Sequence, residues 1–429
     1  MHQEAGLITN ITLGLLFAFG GGLLARWLRL PLIVGYFLAG LLVGPVSPIF
    51  HADVSLASQF AEIGVILLMF GVGIQFSLHD LLSVRWIAVP GAVIQSAVAT
   101  GLGILVAYAL GWSFGAGLIL GLSISVASTV VLVRALMERN ALQSVEGKVA
   151  VGWLVVEDLF TVLILVLLPA LALAMGVGEV AFQDPLRGIP LLFELAFTLG
   201  KVALFALLMF FIGARMVPWL LGRVEDTGSR ELFTIGVLAI ALGIALAAAA
   251  VFGLSMALGA FLAGVVVGGS SLSGRAATDA VPLRDAFAAL FFVSAGMLFD
   301  PTVVTSTIGP MLAILAIILL AKPAIAFVIV AVFGYPLRTG LTVAAGLAQI
   351  GEFSFILAAL GRQMGMLPGE GYNLVVGGAL LSIAVNPLWF RAIGYIEGWL
   401  AKRPRVLALL ERPQRQKVKA PVVAGHESA

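Results

Sequence analysis

The sequence contains no cysteine, which excludes disulfides, thiol chemistry and cysteine-ligated metals. Its four histidines, His2, His51, His79 and His426, are scattered and offer no metal-ligand spacing. Charge is also scarce: Asp, Glu, Lys and Arg make up 11% of the 429 residues, against about a quarter in a soluble domain. A basic leader is missing too. Residues 1–6 carry Glu4 and neither Lys nor Arg, and no small-residue cleavage site follows the first apolar run, which therefore reads as a retained span.

Apolar surface takes the place of charge, with 61% hydrophobic residues and a mean hydropathy of +1.13. The apolar runs are about 20 residues long rather than alternating segments of about ten, which selects helices over a barrel. Only those two structures satisfy every backbone group in lipid. The expected fold class is an all-α polytopic membrane protein. Cutting at charges, prolines and glycines gives about thirteen candidate spans, at 8–26, 32–45, 57–75, 86–110, 114–136, 147–175, 192–222, 231–250, 254–269, 285–299, 307–333, 338–361 and 371–397.

The distribution of basic residues tests that count. Loops after odd-numbered spans carry Arg26, Arg29, Arg85, Arg134, Arg139, Lys148, Arg215, Arg223, Arg230, Arg275, Arg284 and Arg338. The opposite side holds few, namely Arg187, Lys201 and Arg362. The N-terminus is expected outside and the C-terminus in the cytoplasm. Residues 398–429 form a basic tail, read as a membrane-surface segment in contact with lipid and not as a nucleic-acid binder.

An internal repeat is visible. Gly35-Tyr36-Phe37-Leu38-Ala39-Gly40 of span 2 matches Gly259-Ala260-Phe261-Leu262-Ala263-Gly264 of span 9, and a nearly equal shift lays Phe70-Gly71-Val72-Gly73 of span 3 on Val293-Ser294-Ala295-Gly296 of span 10. The matched spans are seven apart, so the two halves are expected to cross the membrane in opposite directions. The division expected is a first repeat at 1–110 (spans 1–4) and 111–190 (spans 5–6), a linker helix at 191–230, and a second repeat at 231–300 (spans 8–10) and 301–397 (spans 11–13).

Against this apolar background the polar residues inside spans stand out. Glu157 and Asp158 are adjacent, and no Lys or Arg occurs from 149 to 175. One ionisable side chain near the bilayer centre costs at least ~2.5 to 3.5 kcal/mol on insertion scales, so the pair marks an ion or proton pathway. Span 5 is interrupted by Ser123-Ile124-Ser125-Val126-Ala127-Ser128-Thr129, and span 12 by Gly346-Leu347-Ala348-Gln349-Ile350-Gly351-Glu352. These stretches read either as unwound breaks crossing near the midplane or as small-residue packing faces. Glu352 favours the break in span 12, since packing has no need of an acid. Lys322 lies in mid-span 11, where an intramembrane partner is expected. Gln95 occupies the corresponding place in span 4, and Asn386 in span 13 corresponds to the acidic pair.

Ser128-Thr129, Glu157-Asp158, Lys322 and Gln349-Ile350-Gly351-Glu352-Phe353, together with Leu67-Leu68-Met69-Phe70-Gly71-Val72-Gly73 and Pro282-Leu283-Arg284-Asp285-Ala286-Phe287, resemble the monovalent cation:proton antiporter-2 family, and within it the Kef/YbaL branch. The similarity runs from about residue 7 to 397. It implies two inverted six-helix repeats joined by a linker helix, a homodimer in a bacterial-type inner membrane, and exchange of K⁺ or Na⁺ for protons. It also implies an elevator movement of a core (spans 4–6 and 11–13) against a dimerisation domain (spans 1–3 and 8–10). Members of this branch usually continue into a cytosolic nucleotide-binding domain; this sequence stops at Ala429, so either a longer chain has been cut short or that regulation is absent, and no cofactor is expected within these residues. The residue before the key Asp is Asp, Asn or Gln in relatives and Glu157 here.

Antiport needs a group that binds a proton or a cation, never both. Adjacent helix positions point about 100° apart, so Asp158 is expected to face the breaks and carry the monovalent cation, with Glu157 tuning it or carrying a second proton. Lys322 is expected to pair with one carboxylate. Ser125, Ser128 and Thr129 would add oxygens, with Gln349, Glu352 and Asn386 in support. The competing functions are a sodium-coupled symporter of small organic anions and a non-transporting membrane sensor. An intramembrane enzyme is not expected, since neither His-Glu-x-x-His nor Gly-x-Gly-Asp occurs.

Overall fold

The computed structural model describes residues 2–28, 30–44, 54–75, 78–137, 139–142, 144–175, 191–299 and 307–403. The basic tail beyond 403, Arg29 and Arg187 lie outside the described residues, as do the side chains of Arg134 and Glu352. Regular structure among the described residues is helical throughout. The first half comprises α1 (His2–Trp27), α2 (Leu32–Val43), α3 (Val54–Gln75), α4 (Leu78–Ala109), α5 (Phe114–Ser125), α6 (Thr129–Met137) and α7 (Val145–Ala174). A linker follows, α8 (Leu191–Leu208) and α9 (Ala214–Glu225) with a π turn at Met209–Gly213 between them. The second half comprises α10 (Arg230–Phe252), α11 (Met256–Gly268), α12 (Ser273–Met297), α13 (Ile308–Ala316), a π turn at Ile317–Ala321, α14 (Lys322–Val332), α15 (Leu337–Leu347), α16 (Glu352–Gln363) and α17 (Gly369–Ala401).

Among the described residues, seven helical stretches are long and apolar enough to cross a membrane, and shorter apolar helices include α2, α5 and α11. The chain is a multi-pass membrane protein. Two boundaries differ from expectation. Helix α4 begins at Leu78 rather than 86 and takes in Arg85, and α12 begins at Ser273 rather than 285 and takes in Arg275 and Arg284. Cutting at charges ends a helix where the apolar run ends, but α12 runs on where its charges find partners. Arg275 reaches Glu225 at 3.2 Å, and Arg284 reaches Asp285 at 2.8 Å.

The helices associate in two sets. Helix α3 lies against α11 and α12, and α2 against α1 and α12. Separately, α4 lies against α5 and α7, α15 against α14, α7 and α17, and α16 against α5 and α17. In the first set, backbone meets backbone at two glycine pairs. A Cβ on Gly40 would stand 2.0 Å from the Val293 carbonyl oxygen and 2.9 Å from the Gly296 Cα. On Gly264 it would stand 2.2 Å from the Phe70 carbonyl oxygen and 2.9 Å from the Gly73 Cα. Lipid tails are as apolar as leucine, so helices in a membrane associate by such close van der Waals approach. The two contacts interchange under the sequence shift, with Gly40 taking the place of Gly264 and Gly296 that of Gly73.

The second set holds the irregular backbone. Ser113 caps the start of α5 by accepting the Ala116 N–H at 3.2 Å, and the helix stops at Ser125. The π turn before Lys322 has a local cause in Pro323, which lacks an N–H and crowds the carbonyl four residues back, so the ladder there widens by one residue.

Gly40→Val and Gly264→Val each force a side chain into backbone, which nothing can swing aside to relieve. Each is expected to lower the unfolding temperature and the yield of monodisperse protein, with an overpacking cost of about 1–3 kcal/mol or more. Gly101→Ala, where an added methyl meets nothing within 4 Å, should leave stability equal or higher. Size-exclusion chromatography after a temperature ramp measures all three.

Candidate ion-binding site

Both stretches singled out by their small and polar residues are breaks. Span 5 leaves helical geometry at residues 126–128, between α5 and α6, and span 12 does so at residues 348–351, between α15 and α16. The two breaks cross. Gln349 links them: its side-chain oxygen accepts the Ser128 N–H at 3.0 Å, and its Nε2 donates to the Ser128 and Gly346 carbonyls at 3.1 Å each. Gly351 lies so close that a Cβ there would stand 2.6 Å from the Ser128 Cα. Ser354 Oγ donates to the Val126 carbonyl at 3.4 Å, and Ser382 Oγ accepts the Ile350 N–H at 3.4 Å. Backbone freed by unwinding in the first break is thus satisfied from the other half of the chain, and in the second break from within its own half, as a lipid environment requires.

Four helix ends meet at this crossing. The C-termini of α5 and α15 bring partial negative charge, and the N-termini of α6 and α16 bring partial positive charge. Ser128 Oγ accepts the Val131 N–H at 3.3 Å as the cap of α6. Glu352 is the first residue of α16.

The acidic pair on α7 faces the crossing. Glu157 and Asp158 are buried, at 1% and 3% exposure. Glu157 Oε2 accepts the Ala127 N–H of the first break at 3.1 Å, and Oε1 accepts the indole N–H of Trp153 at 3.1 Å. Thr129 Oγ1 donates to Asp158 Oδ2 at 2.7 Å. The expectation singled out Asp158 as the acid facing the breaks; the structure has both there. The 100° between neighbours does not separate them, because the unwound chain presents Ala127 to one acid and Thr129 to the other.

Lys322 is wholly buried and donates from Nζ to the Gln349 carbonyl at 3.2 Å, in the second break. Glu157 is one acid on which its charge acts. Ser125 and Asn386 lie beside the breaks and hydrogen-bond there. Ser125 Oγ turns back to the Leu122 carbonyl at 2.8 Å, and Asn386 Nδ2 holds the Ala345 carbonyl at 2.7 Å. Both therefore fasten the half-helices leading into the breaks.

Trp153, Ser354 and Ser382 were not legible as site residues. Trp153 carried one signal, an indole donor one helical turn before an intramembrane acid. The two serines carried none, since their partners lie in the breaks, distant in sequence.

The arrangement offers two carboxylates, a hydroxyl and a buried ammonium at the meeting of two broken helices. A family model described as sodium/hydrogen exchanger, transmembrane, matches residues 14–394. The putative cation/proton antiporter YbaL of Escherichia coli (strain K12) is 54% identical over 402 residues, covering 94% of this chain and 70% of that protein. K(+) efflux antiporter 4 of Arabidopsis thaliana is 31% identical over 395 residues, covering 92% of this chain and 65% of the relative. The sodium proton antiporter MjNhaP1 from Methanocaldococcus jannaschii, solved at pH 8, has a similar fold, with a TM-score of 0.66 at 18% identity over 96% of this chain and 100% of that one. These relatives are transporters and not enzymes. The chain belongs to the transmembrane sodium/hydrogen exchanger family, as its resemblance to the monovalent cation:proton antiporter-2 proteins implied.

Proposed function

We propose that this protein exchanges a monovalent cation, K⁺ or Na⁺, for protons across the membrane, with Asp158 as the shared binding group. The observation that carries the reading is the buried Glu157–Asp158 pair on α7, meeting a buried Lys322 where two interrupted helices cross. One carboxylate serves both substrates because protonation removes the charge that attracts the cation. Asp158 is the carrier: its Oδ2 receives a hydroxyl that also has lone pairs to offer a cation, whereas both oxygens of Glu157 are held by N–H donors. Glu157 is then the fixed counter-charge of Lys322. Glu352, at the head of α16, balances helix-end charge.

Alternating access follows from the two sets of helices. One set, α4–α7 with α13–α17, carries the breaks and the charges and moves as the elevator core. The other, α1–α3 with α10–α12, is locked by the glycine pairs and forms the dimerisation domain. The interchange of those pairs under one sequence shift supports thirteen spans built as two inverted repeats about the linker. The distribution of basic residues supports an N-terminus outside and a C-terminus in the cytoplasm of a bacterial-type inner membrane.

Asp158→Asn abolishes cation-dependent proton movement in everted vesicles while leaving folded protein at wild-type yield; exchange retained by that variant sinks the assignment. Lys322→Ala leaves Glu157 buried without its counter-charge, an imbalance that costs about 3–5 kcal/mol in other proteins. Its unfolding temperature should therefore fall, and adding Glu157→Gln should restore part of the loss. Thermal unfolding of the single and double variants decides this, and a double variant less stable than Lys322→Ala argues against the pairing.

A further inference from the structure

Among the buried polar groups that the mechanism above leaves unused, one lies at the first break. Gln95 on α4 is 0% exposed, and its Nε2 donates to the Ser125 carbonyl at 3.3 Å, where α5 ends at the first break. That bond fixes which way the amide points, because a carbonyl oxygen can only accept. The other amide atom, Oε1, is buried and has no hydrogen-bond partner among the described residues. An unpartnered acceptor is costly inside a protein and asks for a reason.

Its position supplies one. The face of α4 bearing Val84, Ala88, Gly91 and Gln95 is laid on α7: Gly152 lies against Val84 and Ala88, and Gly91 against the Trp153 ring. One turn beyond Gly91 is Gln95, and one turn beyond Trp153 is Glu157. Both then hold the same break, Gln95 at the Ser125 carbonyl and Glu157 at the Ala127 N–H. Gln95 also mirrors Lys322, which holds the Gln349 carbonyl of the second break. Where one half of the chain places an ammonium, the other places a neutral amide with a spare oxygen.

We propose that Gln95 Oε1 is a ligand of the transported cation, a neutral hard oxygen that joins Asp158 and Thr129 in replacing its hydration shell. This rests on the antiport reading and adds to it a residue that sets cation affinity and selectivity.

The test uses the full chain in proteoliposomes, with proton flux driven by Na⁺, K⁺, Li⁺ or Rb⁺ at several concentrations. Gln95→Leu is expected to raise the half-saturating cation concentration at least tenfold, and by more than it lowers the maximal rate. Gln95→Glu keeps an oxygen and is expected to retain saturation at or below the wild-type concentration, with an altered order among the four cations. The purified wild type gains thermal stability from its cation, and Gln95→Leu loses that gain. A Gln95→Leu protein with an unchanged half-saturating concentration and a lowered maximal rate shows that Gln95 merely fastens the break, and overturns the proposal. Gln95→Glu impaired in affinity as much as Gln95→Leu overturns it as well. Wild-type liposomes with no cation-dependent flux overturn the antiport reading itself, a distinct outcome.

Discussion

A membrane interior offers no water to an unpaired peptide group, and the reciprocal bonding of Gln349 with Ser128 is the answer to that constraint on which the rest of the site depends. Two helices cannot both unwind in lipid unless other segments supply what they lose, as Gln349 does for Ser128 and as Lys322 and Ser382 do for the second break. A glutamine side chain is a displaced peptide group, with one acceptor and one donor centre in the same plane, so it substitutes for the missing helical partner of Ser128 on both sides. Once the crossing is satisfied, its remaining groups are spare. Ala127 N–H can hold Glu157, the Gln349 carbonyl can hold Lys322, and Thr129 can reach Asp158.

The cost of this polar centre explains why the molecule divides its labour. The breaks, most helix-interior prolines and the buried Glu157, Asp158 and Lys322 lie in the helices around the crossing, where several polar groups take partners from another segment. The set around α3 and α12 holds glycines at its contact points and brings backbones to within touching distance. Close packing of that kind is stiff, since interiors respond to lost or added volume rather than yielding to it. One set is thus held by close backbone packing and the other by hydrogen bonds.

Much of this was legible in residues taken alone. Glu157, Asp158 and Lys322 stood out because charge is expensive in lipid, and the breaks stood out because serine, glycine and glutamine interrupt apolar runs. Span ends were harder where helices continue past the apolar stretch on paired charges, as α12 does through Arg275 and Arg284. Direction was the least legible property. Periodicity assigns a face to a residue on a regular helix, yet Asp158 and Glu157 both reach the first break because the chain they meet is irregular. Asn386 and Ser125 illustrate the same limit: their side chains donate to the Ala345 and Leu122 carbonyls, a direction that periodicity does not give.

The π turn at Ile317–Ala321 bears on how such a site can change. Each residue advances a helix by about 100°, so one extra residue in a turn rotates everything after it relative to everything before. Lys322 is the first residue beyond that offset, and its inward direction is a matter of phase as much as of chemistry. Deleting a single residue from the turn would leave the composition of the span nearly intact and swing the ammonium toward another neighbour. Counterion placement in this helix thus depends on residue count, and on the proline that widens the turn, as much as on the charged residue itself.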